Sequence, residues 1–319
     1  MAAVGCGGVL VADTFCGPMQ ELPSEGQLLV VETMLPGAGG CAANTAIDLA
    51  RQGISVDVVG CLGRDASARI VIEGLEAGGV NCSQIVQVAD EPTSKTVILI
   101  VEGQDRRYIH TFGANRAFTV GHVQRSWVAG LQVFYVGGFL LLPSFRTEEF
   151  AELLRFCRSH GVVTVVDVVT PPQVRGMAGL APLLPLIDYF LPNDDEARAL
   201  TGQEDPTDQL RFLLDAGANA VVVTCGEAGS LAASRNEAWS ASACPMEVVD
   251  PSGSGDAFSS GLIAGLLRGW DLPRTLQYAS AVGGSAVRAV GTTPGVFTEA
   301  EAEAFLTAHP VAVQPLSLH

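Results

Sequence analysis

Lysine is almost missing from this chain. Of the 18 Lys and Arg among its 319 residues only Lys95 is a lysine, so a Schiff-base chemistry would rest on that residue alone. No GxxxxGK[ST] string occurs, which excludes the P-loop NTPases, and no VAIK-type lysine accompanies an HRD loop, which excludes the protein kinases. Bases of any kind are scarce: 34 acids against 18 bases leave a net charge of −16. That is the wrong sign for a nucleic-acid partner, because phosphate backbones are held by clustered Lys and Arg. Paired cysteines are missing too. The eight, at 6, 16, 41, 61, 82, 157, 225 and 244, include no CxxC, so they read as reduced, small apolar residues of a cytoplasmic protein, and no zinc is expected. The longest apolar run, LQVFYVGGFLLLP at 131–143, is short of the about 20 residues that span a bilayer. The opening MAAVGCGGVLVADTF has no basic n-region and reaches an acid at Asp13, unlike a signal peptide.

What is abundant is apolar surface. Hydrophobic residues make up 48% of the chain, which excludes disorder despite the net charge, and the length suits one large α/β unit or two smaller ones. Continuous apolar runs at Val4 to Val11, Ser55 to Gly60, Val133 to Val136, Val162 to Val168, Tyr189 to Leu191 and Ala220 to Thr224 predict strands buried on both faces. Helical segments alternate with them: Cys41 to Gln52, Ser67 to Ala77 and Glu148 to His160, each followed by glycine, then Ala257 to Gly269, Pro273 to Val290 and Thr298 to His309. This alternation predicts an α/β fold with a mostly parallel sheet covered by helices on both faces. Residues 14–36 and 94–113 break the rhythm with strand-like QLLVVETML, SKTVILIVEG and RRYIHTF. They predict a small β-sheet lid over a large domain of residues 1–13, 37–93 and 114–319.

Four clusters carry candidate chemistry. In VVDPSGSGDAFSSGL, 248–262, a strand-like edge ending at Asp250 leads through small residues into an apolar helix starting at Asp256 or Ala257. Backbone N–H groups of Gly253, Ser254 and Gly255 at that helix start suit a phosphate or a developing oxyanion. Asp256 there either caps the helix or takes a proton from a hydroxyl. In PGAGGCAANTAIDLA, 36–50, glycines run into a helix whose first turn carries Asn44, an amide that both donates and accepts. Asp13, at the end of the first strand, adds an acceptor on the carboxyl edge of the sheet, where open α/β folds bind ligands; turn or cap roles also account for Asp13 and Asn44. LPNDDEARALTG, 191–202, holds Asn193 and Glu196 at capping-box spacing. VVVTCGEAGS, 221–230, places Thr224, Gly226 and Gly229 in a small-residue turn that either contacts phosphate or closes a hairpin.

Taken together, these clusters resemble the ribokinase-like (PfkB) carbohydrate kinases. GGCAAN at 39–44 is similar to that family's first signature and DPSGSGDAF at 250–258 to its second. CLGRD at 61–65, GAN at 113–115, PNDDEA at 192–197 and TCGEAG at 224–229 follow in the family's order. The resemblance implies ATP-dependent transfer of a γ-phosphate to a sugar hydroxyl. Asp256 then matches the catalytic base, and Gly253, Ser254 and Gly255 the anion hole. Asp13, Gly39, Gly40 and Asn44 match positions that hold the acceptor. Asn193, Glu196, Thr224, Gly226 and Gly229 fall on nucleotide- and Mg²⁺-associated motifs. It further implies a Rossmann-like large domain flanked by helices and a K⁺ site from Asp250 and Ser252 with backbone near Ala289 and Gly291. The open face of the antiparallel lid suits a homodimer through it. Phosphoryl transfer needs positioning and charge neutralisation more than a nucleophile, so the shortage of lysine does not count against it.

The departures bear on substrate. Phosphosugar kinases of the family carry lysine in GGKG where Cys41 and Ala42 stand here, which points to an unphosphorylated sugar. Ribokinases place Asn two residues before the first aspartate, and here that residue is Val11. Ala68 replaces the glycine that ends GxDxxG. A nucleoside kinase of adenosine or inosine type is the alternative acceptor reading, and a non-catalytic sugar or nucleotide binder is a second. Arg106 and Arg107, in a lid strand, either reach an acidic or phosphorylated group or lie on a solvated strand face, the reading favoured here, and His110 is expected beside the sugar or in lid packing.

Overall fold

The structure, a computed structural model, describes residues 2–104, 106–171 and 173–318. In chain order its strands are β1 (Val4–Gly8), β2 (Val11–Met19), β3 (Met34–Gly39), β4 (Val56–Val59), β5 (Cys61–Leu62), β6 (Val86–Gln87), β7 (Lys95–Val101), β8 (Arg107–Thr111), β9 (Val133–Gly137), β10 (Val163–Asp167), β11 (Tyr189–Leu191), β12 (Ala220–Thr224), β13 (Ser230–Ser234), β14 (Ala238–Ala241) and β15 (Val313–Pro315). The helices are α1 (Cys41–Arg51), α2 (Ala66–Ala77), α3 (Arg125–Val128), α4 (Thr147–Ser159), α5 (Asp194–Thr201), α6 (Pro206–Asp215), α7 (Ser254–Leu267), α8 (Leu272–Ala286) and α9 (Glu299–Ala308).

Among the described residues nine strands form one sheet in the order β15-β14-β13-β12-β11-β10-β9-β1-β4. It is parallel from β4 through β12 and antiparallel from β12 to β15. Alternate residues feed two cores. Val133 and Tyr135 face the layer of α1, α2, α7, α8 and α9, while Phe134 and Val136 face the layer of α4, α5 and α6. This two-sided burial, worth ~1.5–3 kcal/mol for each large apolar side chain, is why the parallel strands read as unbroken apolar runs. The glycine-broken run at 131–143 is one of them, β9 with the turn that follows it.

The second sheet has the order β3-β2-β7-β8, with β2 antiparallel to β3, parallel to β7, and β7 antiparallel to β8. Two side chains fasten it to the large sheet. Asn115, of the GAN motif, closes both backbone groups of Leu10, accepting from its N–H at 3.2 Å and donating to its carbonyl at 3.0 Å. Asp65, of CLGRD, caps α2 at Ala68 N–H and accepts from the backbone and hydroxyl of Thr93, two residues before β7. These two motifs are accounted for by architecture.

Several expectations are corrected. The chain leaves the large sheet at Gly8, so Asp13 lies on β2 of the small sheet and not at the end of the first strand. The small sheet takes in residues 11–19 and 34–39, wider at both ends than the 14–36 segment expected. QLLVVET, 27–33, is no strand: pairing begins only at Met34, and Leu28 and Val30 are exposed. Val248 and Val249 are likewise exposed and lie in no strand, the Val249 N–H donating at 2.7 Å to the Val287 carbonyl after α8, so no strand edge leads into Asp250. In each case β-branched residues lacked a partner strand to bury them.

Candidate active site

Asp256 sits in the first turn of α7. The helix starts two to three residues earlier than expected, with Gly253 as its N-cap in the left-handed conformation (φ 79°). A side chain at Gly253 would collide with the backbone of Thr292, whose carbonyl carbon lies 2.8 Å from the Cβ position, so only glycine turns the chain here. The first intrahelical bond is Ala257 N–H to Gly253 carbonyl, which leaves the N–H groups of Ser254, Gly255 and Asp256 free of helical partners. Nothing lies within 4 Å of a Cβ built on Gly255. The helix start is therefore bounded by empty space on the Gly255 side and shaped for an anion.

The Asp256 carboxylate does not cap its own helix. Its Oδ2 accepts from Asn44 Nδ2 at 2.7 Å, and Asn44 Oδ1 accepts from Thr292 Oγ1 at 2.8 Å. Asn44 thus ties Asp256 to the Gly291–Thr292 loop. Thr292 was not foreseen; it lies far from every glycine motif and only the fold brings it in. Burial pushes Asp256 up to about 6, held back by the hydrogen bond from Asn44 and by the Cys41 thiol.

The small sheet supplies a second acid. Asp13 on β2 pairs with Gly37, and its carboxylate lies where a Gly39 side chain would be, so Gly39 and Asp13 meet as expected. Gly40 is the N-cap of α1 at φ 89° and admits no side chain against the carbonyl of Val9. Burial raises Asp13 to about 7, opposed by the Thr96 hydroxyl and reinforced by the charge of Asp256. Thr96 Oγ1 in turn lies 3.0 Å from His110 Nδ1, whose ring packs edge-on against Phe112.

Across the sheet's carboxyl edge, Asn193 and Glu196 form the capping box of α5, Asn193 Oδ1 accepting from Glu196 N–H at 2.8 Å and Glu196 Oε2 from Asn193 N–H at 2.9 Å. Burial raises Glu196 to about 7, and the charge of Asp256 adds to this. Thr224 bridges to Asn193, while Gly226 and Gly229 turn the β12–β13 hairpin, so that segment is a hairpin whose first residue borders Asn193. Asp250 orders the loop before α7. Its Oδ1 accepts from the backbone and hydroxyl of Ser252 and its Oδ2 from Gly291 N–H at 2.9 Å. Of the two backbone positions expected beside Asp250, Gly291 is the one bonded to it among the described residues.

Arg106 departs from the solvated face expected of it. It precedes β8, its side chain is 18% exposed, and Nη1 lies 3.9 Å from Asp250 Oδ1. Arg107 behaves as expected, exposed and bonded to Gln104. Asp167, at the end of β10, was missed. It is buried with Oδ1 accepting from Gly138 N–H at 2.8 Å, and the rule that drew attention to Asp13, an acid closing an apolar strand at the carboxyl edge, would have found it.

A fixed carboxylate beside free helix-start amides, walled by a second sheet, suits transfer of a phosphoryl group to an alcohol. Comparison with known proteins agrees. The sequence profile of the pfkB family carbohydrate kinases matches residues 11–299, and the chain belongs to that family. It is 28% identical over 281 residues to the bifunctional ribokinase/ribose-5-phosphate isomerase A of Fructilactobacillus sanfranciscensis, covering 86% of this chain and 50% of that one. It therefore spans half the length of that relative. To a nucleoside kinase of Methanothermobacter thermautotrophicus it is 26% identical over 292 residues, 91% of each chain. Ribokinase of Arabidopsis thaliana, complexed with ribose and ATP, shares the fold with a TM-score of 0.82 at 23% identity, over 96% of this chain and 98% of that one. The chain is a carbohydrate kinase whose homologues are sugar and nucleoside kinases. None of its described helices is long and apolar enough to cross a membrane.

Proposed function

We propose that this kinase transfers the γ-phosphate of ATP to a hydroxyl of an unphosphorylated sugar, with Asp256 as the base. The observation that carries the reading is the Asn44–Asp256 hydrogen bond at 2.7 Å, which aims a carboxylate at the space in front of the α7 amides. Asp256 takes the proton of the acceptor hydroxyl as that oxygen attacks the γ-phosphorus, and the bond to the β-phosphate oxygen breaks with ADP leaving. Amides of Gly253, Ser254 and Gly255 receive the negative charge on the transferring group. Asp13 and the backbone at Gly39 and Gly40 hold the acceptor's other hydroxyls. Asn193, Glu196 and Thr224, with the turn at Gly226 and Gly229, border the nucleotide.

Mg²⁺ fits the acids around the site. The charge of Asp256 raises the proton affinity of Glu196, so a divalent ion arriving with the nucleotide would relieve that repulsion, with Glu196 supporting it, and would supply neutralisation of the phosphate charge. A K⁺ site beside Asp250 and Ser252 is supported by Oδ2 of Asp250, which takes one hydrogen bond, from Gly291, and keeps a lone pair. A rate that climbs with K⁺ at constant ionic strength supports the site, and a flat response removes it. We place the enzyme in the cytoplasm on the ground of its eight free thiols. We also assign it a homodimer through the small sheet, whose Met34, Tyr108 and Ile109 are exposed apolar side chains; a monomeric mass by light scattering would refute it.

The test of the function is ADP release across a panel of free sugars, phosphosugars and nucleosides. Turnover with a free sugar and not its phosphate supports the proposal. Turnover confined to nucleosides moves the acceptor to that class, and binding without product from any acceptor overturns catalysis.

A further inference from the structure

The glycine signature of α1 begins with a thiol that the proposed reaction does not use. Cys41 Sγ, a carboxylate oxygen of Asp167 and one of Asp256 all lie within 4.8 Å of one another, the one such three-donor group among the described residues. Three elements converge to make it: the first residue of α1, the last of β10 and the first turn of α7. The contacts of the two acids point the same way. Asp256 Oδ2 accepts from Asn44 and Asp167 Oδ1 from Gly138, and their other contacts stay inside the group, the Cys41 thiol with Asp256 and the Tyr135 hydroxyl with Asp167.

A further observation concerns Tyr135, on β9. It is wholly buried, and its hydroxyl lies against the Asp167 carboxylate, with the Thr45 hydroxyl also in reach. The ring edge of Tyr135 and the Cβ of Cys41 both press on Gly137, at 2.8 and 2.7 Å from its Cβ position. The hydroxyl is close enough to feel the charges of Asp167, Asp256 and Cys41. A buried donor of this kind, bonded to one of the acids, suits support of ligands to a metal ion, where such outer hydrogen bonds orient the donors.

We propose that Cys41, Asp167 and Asp256 form a site for a thiophilic divalent cation of the zinc type, and that the ion inhibits the kinase by occupying its base. One thiolate and two carboxylates select such a cation over Mg²⁺, which takes oxygen ligands in an octahedron. Tetrahedral zinc places sulfur and oxygen donors roughly 3.5–3.7 Å apart, so side-chain rotation must close the group by about 1 Å from its 4.8 Å outer limit. Binding exchanges the thiol proton for the metal, giving a metal–sulfur bond and a released proton, with no change of oxidation state. The fourth position faces the cleft and takes water. The site needs no CxxC, which is why cysteine spacing gave no sign of it.

The test uses metal-free full-length protein without nucleotide, titrated with cobalt chloride as a spectroscopic substitute for zinc. One equivalent per chain is expected to produce a near-ultraviolet sulfur-to-cobalt band that zinc chloride abolishes. Cys41→Ala is expected to lose the band, and Asp167→Asn to weaken zinc binding at least about tenfold. Cys41→Ser, closer in size, is the second variant should alanine disturb the fold, since a hydroxyl gives no sulfur band. In turnover with excess Mg·ATP, micromolar zinc inhibits the wild type reversibly, and the rate of Cys41→Ala, whatever its size, becomes insensitive. An unchanged band in Cys41→Ala, or no saturable binding in the wild type, overturns the site. The inhibition rests on Asp256 being the base: a Cys41-dependent band with zinc-insensitive turnover would overturn that assignment and the inhibition together.

Discussion

Gly255→Ala separates the stability of the α7 start from its chemistry. A Cβ at Gly255 meets nothing within 4 Å and the residue has ordinary helical backbone, so alanine fits. Within a helix that exchange is worth about 0.5–1 kcal/mol in favour of alanine, and the thermal midpoint should hold or rise. The same Cβ projects into the space where the transferring phosphoryl group must approach the amides. Pushing that group away from even one donor costs ~100-fold to 1,000-fold in rate. Gly253→Ala is the counterpart: it adds about 1–2 kcal/mol for a left-handed non-glycine residue and a collision with Thr292, so stability and activity fall together. Thermal unfolding and ADP release with the acceptor found by screening measure both. Wild-type turnover by a fully folded Gly255→Ala protein would refute placing the phosphoryl group against this helix.

Three other perturbations have defined outcomes. Asn44→Ala removes the bond to Asp256 and the acceptor for Thr292; it should lower kcat about 10-fold to 100-fold, as expected for a hydrogen bond to a charged group, and leave the KM for ATP unchanged, so a change confined to KM for ATP contradicts its role. Because Asp256 must be ionised to accept a proton and burial raises it to about 6, turnover should climb as pH rises through 6 and level off above it; a flat profile between pH 5 and 8 contradicts this. Asp48, on α1, is wholly buried with both oxygens unpartnered, and burial, then the charge of Asp256, holds it well above the usual carboxylate range. Its folded-state proton affinity exceeds the unfolded one, so stability is lost as pH rises from the ordinary aspartate value toward the raised one. Asp48→Ala should therefore gain about 1–3 kcal/mol near pH 8 and flatten that decline, as denaturant titration at two pH values would show.

Fold and family were readable because the signals were local. Parallel strands buried on both faces leave runs such as Val133 to Val136, and helix starts leave glycines beside Asn44 and Asp256. The site's wiring was not readable, because its contacts join residues more than 200 positions apart: Asn44 to Asp256, and Asn44 to Thr292. Strand propensity misled at 27–33 and 248–250, where no neighbouring strand supplies pairing. Arg106 misled in the opposite sense, since nothing in a basic pair shows that one member folds back on Asp250. Asn193 and Glu196 were legible as a capping box, and that geometry is present in full.

The most direct test of Asp256 is to measure nucleotide affinity and turnover in the same preparation of Asp256→Asn. Asparagine keeps the shape and the contact with Asn44 but cannot take the hydroxyl proton. ATP should bind within a few-fold of wild type while kcat drops by ~100-fold to 10,000-fold; a variant that binds ATP and phosphorylates its acceptor at the wild-type rate would contradict the assignment outright.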